Sequence, residues 1–201
     1  MIFPMCAACG TMFPDGPVPA SCPICDDERQ FVPAGGQVWT SLGALKRTHR
    51  NAWKEEEPGL LSLRTEPSFA IGQRAFLVYT PQGNVLWDCL SLIDEATRTI
   101  IEALGGLAAI AISHPHYYSA MTAWSEAFGG VPVWLHEGDR DWVMRDGDAV
   151  RFWSGDRREL VPGVTAIRTG GHFAGGTVLH WAAGAGGRGV VLRARDTKLD
   201  R

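Results

Sequence analysis

Two Cys-x-x-Cys pairs, CAAC at residues 6–9 and CPIC at residues 22–25, stand 12 residues apart and hold four of the five cysteines. Each pair places two sulfurs on one tight knuckle, and the connecting loop brings the knuckles together so that four sulfurs surround one ion tetrahedrally. The connecting stretch GTMFPDGPVPAS is rich in Gly and Pro, as a short rigid excursion requires. In a reducing compartment such crowding points to a metal rather than to disulfides.

Zinc is the expected ion for Cys6, Cys9, Cys22 and Cys25, because it suits a closed structural site; four thiolates also hold a single iron, as in rubredoxin. The segment resembles a small zinc ribbon, which implies a binding module for nucleic acid or protein. Its charges are acidic, with Asp15, Asp26, Asp27 and Glu28 against Arg29. Packing on the rest of the chain or on a protein partner is therefore expected. Cys89, inside NVLWDCLSL, reads as a buried small hydrophobe.

At 201 residues the chain has room for one main core and a small accessory, here a cysteine module over residues 1–36 and a second domain over 37–201. A net charge of −3 supplies no field to recruit a polyanion, which argues against nucleic acid as a partner. The longest apolar run, LGGLAAIAI, is too short to span a bilayer, and MIFPMCAACG lacks the pattern of a secretory leader. A cytoplasmic location without membrane association is expected.

After VPAGGQ, the stretch WTSLGALKRTHRNAWKEEE is expected to be partly helical before Pro58 and Gly59 stop it. QRAFLVYT, PQGN and VLWD read as strand, turn and strand. A helix follows through DEATRTIIEALGG, capped by Asp94 or Ser91, with Ile100, Ile101 and Leu104 on its apolar face. The continuous run LAAIAIS reads as a strand covered on both sides. YYSAMTAWSEAF has helical spacing, VPVWLH is a strand, and DAVRFW, RRELVPG, VTAIRTG, TVLHWA and GRGVVLRAR are short strands. The mixed charges between residues 139 and 159 suggest a solvated face.

In ISHPHYY, His114 and His116 stand at the end of an apolar strand and before a helix, at the mouth of an α/β layer. His172, in RTGGHF, follows another strand, and the two preceding glycines permit close backbone approach. Three imidazoles suit one ion with an open position. His136 and His180 read as structural, the first near the cleft wall and the second within a sheet.

From about residue 68 to 196 this order of elements resembles the metallo-beta-lactamase superfamily. The resemblance implies an α+β fold, a four-layered αββα sandwich with metal in the cleft between two sheets. Many members use His-x-His-x-Asp-His, a later histidine, a bridging aspartate and a last histidine. His114 and His116 match the first pair, His172 the later histidine and Asp196 the aspartate. Tyr118 and Ser119 occupy the positions of the motif's aspartate and final histidine, which leaves at most one ion, zinc, iron or manganese, with Asp196 as fourth ligand or as partner of its water. LRARDT lacks the usual Ser-Gly before the aspartate, and five residues follow it. The expectation is that the final portion of the domain is missing or that a partner covers the second layer.

Two functions follow from this resemblance. One is a degenerate single-ion hydrolase acting on a small ester, thioester, amide or phosphoester, with Tyr118 donating a hydrogen bond to the developing oxyanion. The other is a catalytically silent scaffold, stabilised by the cysteine site, that binds a protein partner or forms a homo-oligomer.

Overall fold

The computed structural model describes residues 3–30, 32, 34–182 and 189–192. In chain order these form strand β1 (Met5–Cys6), the short helix α1 (Pro23–Asp26), β2 (Trp39–Thr40), α2 (Leu42–Thr48), β3 (Arg50–Glu57), β4 (Leu60–Glu66), β5 (Arg74–Val78) and β6 (Val85–Trp87). There follow α3 (Glu95–Ala103), β7 (Ala109–Ala111), α4 (Met121–Ala127), β8 (Val133–His136), β9 (Val150–Trp153), β10 (Arg157–Val161), β11 (Val164–Arg168), β12 (Thr177–Trp181) and β13 (Val190–Leu192). Strands β3 to β9 make one seven-stranded sheet in sequential order, antiparallel as far as β6 and parallel from β6 to β9. Strands β10 to β13 make a second, antiparallel sheet.

Side-chain alternation in the central strands divides the apolar residues between two cores. Ala75 and Leu77 of β5, Leu86 of β6, Ile110 of β7 and Val133 and Leu135 of β8 face a core shared with Leu45 of α2, Ile101 of α3 and Met121 and Trp124 of α4. Their neighbours Phe76, Val78, Val85, Trp87 and Ala111 face the other way, onto Val164, Leu179, Trp181 and Leu192 of the second sheet. The expected α+β sandwich is thus present as its helix, sheet and sheet layers. A strand buried on both faces needs no polar alternation, and for that reason LAAIAIS reads as a continuous run.

Local chemistry sets the helix ends. Asp94 Oδ1 accepts from the Thr97 N–H at 2.8 Å and caps α3, while its Oδ2 accepts from Asn51 N at 2.9 Å. Ile101 is buried, but Ile100 is turned to solvent, so the inward stripe runs through Thr97 and Ile101. Two expectations change along the chain. Helix α2 stops at Thr48, and residues 50–57 form the edge strand β3 on β4, because cross-strand pairing with Leu60–Glu66 outweighs the local helix preference of AWKEEE. The helix expected over 117–128 is split into a 3-10 turn at Pro115–Tyr117 and α4 from Met121, separated by Ser119 at φ +38°.

Asp88, directly after β6, ties the sheet to the histidine loop. It is buried at 1% exposure, adopts φ +65°, and its Oδ1 accepts from the Ser113 N–H at 2.8 Å. Oδ2 has no hydrogen-bond partner among the described residues, and burial pushes the carboxyl up to about 7 from its ordinary 3.8. The folded chain therefore holds this proton more tightly than the unfolded one. Its contribution to stability is full below the ordinary value and is lost as pH rises through about 7. In metal-free protein, denaturant unfolding should show stability falling between about pH 4 and pH 7. Asp88→Asn keeps the carbonyl acceptor and should remove that dependence, gaining roughly 1–4 kcal/mol above the transition.

Candidate metal centre

Strand β7 delivers the first two histidines. Ser113 is held from both sheets: its N–H donates to Asp88, and its carbonyl accepts from Thr177 N of β12 at 2.9 Å. His114 is extended at φ −170°, and Pro115 then starts the 3-10 turn that carries His116 round to the same side. His114 Nδ1 lies 2.9 Å from Ser113 Oγ, which fixes the ring. His116 is fully buried.

The third histidine comes from the loop between β11 and β12. Thr169 and Gly170 both donate their N–H to the Gly176 carbonyl, and Gly176 donates to Phe173 O at 3.1 Å, which folds residues 169–176 into a closed turn bearing His172 at its exposed tip. Gly170 and Gly171 contribute positive φ rather than close approach. Close approach occurs at Gly176, where a Cβ would stand 2.5 Å from the Gly170 carbonyl. The three rings converge, with centroids 5.3 Å apart for His114 and His116, 4.8 Å for His114 and His172 and 5.3 Å for His116 and His172. Ligand-capable nitrogens of all three lie within 4.8 Å of one another. Nitrogens bound to one ion at about 2.0–2.1 Å would stand about 3.4 Å apart, a distance that small ring rotations close. Phe173 packs on all three rings, and a cavity of about 100 Å³ opens beside His114 and His172, lined by Ser113, Thr169, Gly171 and Thr177.

Tyr118 and Ser119 follow directly on the 3-10 turn. Tyr118 is 2% exposed, and its hydroxyl donates to the Asp139 carbonyl at 3.3 Å. Burial pushes its pKa well above the ordinary value of 10, with the Asp139 charge adding to the effect, so the phenol stays neutral. Ser119 Oγ is buried with no partner among the described residues. Among the His, Cys, Asp and Glu of the described residues the cluster has three members, His114, His116 and His172, which make a degenerate site. Asp196 lies outside the described residues. His136 is structural: its ring packs edge-on against Trp153, Nδ1 accepts from Gly138 N at 3.1 Å and Nε2 donates to Gly155 O at 3.1 Å.

The cysteine knuckles form a second cluster. Cys6, Cys9, Cys22 and Cys25 are buried and unbridged, with their sulfurs within 4.8 Å of one another. Cys6 to Cys25 and Cys9 to Cys22 are each 3.6 Å, close to the edge of about 3.8 Å in a tetrahedron with metal–sulfur bonds of about 2.3 Å. Gly10 closes the first knuckle at φ +84°, donating to the Cys6 carbonyl at 2.8 Å; a Cβ there would meet Ser91 Oγ at 2.2 Å. Mutual hydrogen bonding among the four sulfurs draws Cys6 and Cys22 toward thiolate and holds Cys9 and Cys25 as thiols. The donor chemistry and spacing of both clusters fit an ion.

The cysteine segment packs on its own chain, as its acidity suggested. Strand β1 pairs with β2, Met5 and Met12 enter the main core, and Trp142 and Met144 cover the cysteines. Four supporting residues carry no motif in the sequence. Asp88, Gln73, Arg29 and Asp139 act through burial and backbone contacts that only the folded chain creates. Asp139, grouped above with solvated charges, is 2% exposed and accepts from Gly175 N at 2.7 Å, which anchors the His172 loop. Its one local signal is its place just after strand β8.

No family model matches the chain. The uncharacterised protein YmaE of Bacillus subtilis is 46% identical over 195 residues, covering 96% of this chain and 71% of that protein. MEM-A1, a subclass B3 metallo-beta-lactamase isolated from a soil metagenome library, superposes with a TM-score of 0.50 at 20% identity, over 66% of this chain and 58% of that one. A Cronobacter sakazakii metallo-beta-lactamase with a HARLDQ motif superposes with a TM-score of 0.50 at 26% identity, over 69% and 62%. The chain spans about three fifths of the length of these solved chains. Two packed sheets, a cluster of histidines at the ends of their strands and this likeness identify the chain as a metallo-beta-lactamase-fold, hydrolase-like protein that belongs to the family of YmaE.

Proposed function

We propose that this protein is a single-ion hydrolase of narrow capacity, with His114, His116 and His172 as ligands of one zinc, iron or manganese ion and Asp196 completing the set. The observation that carries the reading is the convergence of three imidazoles from two separate loops at the mouth between the sheets. A bound ion would supply Lewis acidity toward a carbonyl or phosphoryl oxygen. The substrate is a small ester, thioester, amide or phosphoester that reaches the histidines through the cavity beside His114 and His172. Phe173 excludes water from one side of the histidine cluster, and Ser113 orients His114. Tyr118, neutral at all ordinary pH, is assigned the part of hydrogen-bond donor to the developing oxyanion, in exchange for its bond to Asp139.

In the same reading Cys6, Cys9, Cys22 and Cys25 hold a structural zinc, with iron as the alternative, and residues 1–36 are a cysteine module packed on a metallo-beta-lactamase-like domain, residues 37–201, of a cytoplasmic protein. Among the described residues no helix is long and apolar enough to cross a membrane. A silent scaffold that binds a protein partner or a second copy is the competing reading. It is favoured by Tyr118 and Ser119, both buried, standing where the two-ion motif has an aspartate and a histidine.

Elemental analysis of protein purified without added metal should find two ions per chain in the wild type and one when all four cysteines are replaced by serine. One ion in the wild type and none in the variant would leave the scaffold. His116→Ala should abolish metal-dependent ester hydrolysis, by about 100-fold or more, with circular dichroism unchanged. Turnover equal to wild type would remove the histidine cluster from the chemistry. Tyr118→Phe should lower kcat and also cost about 1 kcal/mol of stability through the lost bond to Asp139. Lost stability with an unchanged kcat would confine Tyr118 to a structural part.

A further inference from the structure

The two clusters are joined by two independent straps. In the first, Gln73 is buried, and its Nε2 donates both to the Cys9 carbonyl at 2.6 Å and to the His116 carbonyl at 3.1 Å. One side chain thus fixes the distance between the first cysteine knuckle and the second histidine. Close by, Met12 N donates to Ser119 O at 2.9 Å, directly after the histidine turn.

The second strap crosses 143 residues of sequence. Arg29 follows the second knuckle, and its Nε and Nη2 grip the two carboxylate oxygens of Asp27, the latter at 2.7 Å. Nη1 donates to the His172 carbonyl at 2.6 Å. The guanidinium lies over the ring of Phe173 at 4.3 Å and over that of Trp142 at 4.9 Å, and Trp142 itself packs on the cysteine cluster. A planar fork that stacks and donates in three directions at once is a part only arginine can play. His172 needs such support, since it sits at the exposed tip of a glycine-rich loop.

We propose that Arg29 is a positioning residue for His172, and that through Arg29 and Gln73 occupancy of the cysteine cluster and occupancy of the histidine cluster are thermodynamically coupled. The inference rests on the histidine cluster binding an ion. An ion on the cysteines closes both knuckles, and the closed knuckles present Cys9 O and the Asp27–Arg29 pair in the positions that hold His116 and His172. The ordering cost of the histidine loops is then met before their own ion arrives, and by reciprocity an ion on the histidines tightens the cysteine site by the same factor.

The test uses the full chain, stripped with a chelator and loaded with cadmium, because sulfur-bound and nitrogen-bound cadmium give well separated NMR resonances. Chelator competition yields the affinity of each site. Arg29→Ala should weaken the nitrogen site by about 10–100-fold while the sulfur resonance keeps its position and intensity, and Arg29→Lys should recover only part of the loss. A Cys22→Ser, Cys25→Ser double variant should weaken the nitrogen site by a similar factor. An Arg29→Ala nitrogen site of wild-type affinity beside an intact sulfur resonance overturns the coupling and leaves the ion site standing. If Arg29→Ala disturbs the sulfur resonance, Gln73→Leu cuts the other strap and is judged by the same criterion. Absence of any nitrogen-site resonance from the wild type overturns both the single-ion reading and the coupling built on it.

Discussion

The seven-stranded sheet is buried on both faces at β5 to β8, and the rest of the molecule is arranged around that constraint. Strands with Leu77, Leu86 and Ile110 on one side and Val78, Trp87 and Ala111 on the other leave no room for an ionisable group between their ends. Polar chemistry is displaced to the strand ends. Asp88 follows β6, Ser113 and His114 follow β7, His136 ends β8 and Asp139 follows it, so the C-terminal edge of the parallel half collects the groups that the cores exclude. The same edge carries ligands in open α/β sheets generally, because parallel strands all end there together.

Support for this edge is itself layered. Ser113 is pinned to the first sheet through Asp88 and to the second through Thr177, which sets the width of the cleft at the point where His114 leaves it. Asp139 holds the opposite loop through Gly175, and Tyr118 holds Asp139. Tyr118 and Ser119, which stand at the positions of the acid and the last imidazole of the two-ion motif, are both buried, and Tyr118 is tied to Asp139.

The cysteine module meets this edge from outside. Its acidic charge had suggested a folded-back position, and the contacts with Trp142, Met144, Gln73 and Ser119 give that position a purpose: both histidine loops rest on it. Such a short segment buries little apolar surface of its own, and four buried sulfurs within reach of one ion are suited to making it rigid.

Much of this was legible along the chain, where the information is local. Cysteine spacing marked the knuckles, the continuous run LAAIAIS marked a doubly covered strand, Asp94 marked a helix start, and His114, His116 and His172 stood at strand ends. Residues 50–57 were misread because an edge strand gains its pairing energy from a neighbour, which local propensity does not report. Asp88, Gln73, Arg29 and Asp139 have ordinary sequence surroundings, and each acts through hydrogen bonds to backbone atoms far along the chain. By itself the sequence determined the identities and spacing of the donors and the period of the strands, since these depend on covalent geometry and side-chain alternation. Only the tertiary structure decided which donors meet, and that Arg29 and Gln73 bind the two clusters together, because such contacts exist only once burial has brought distant backbone within hydrogen-bonding distance.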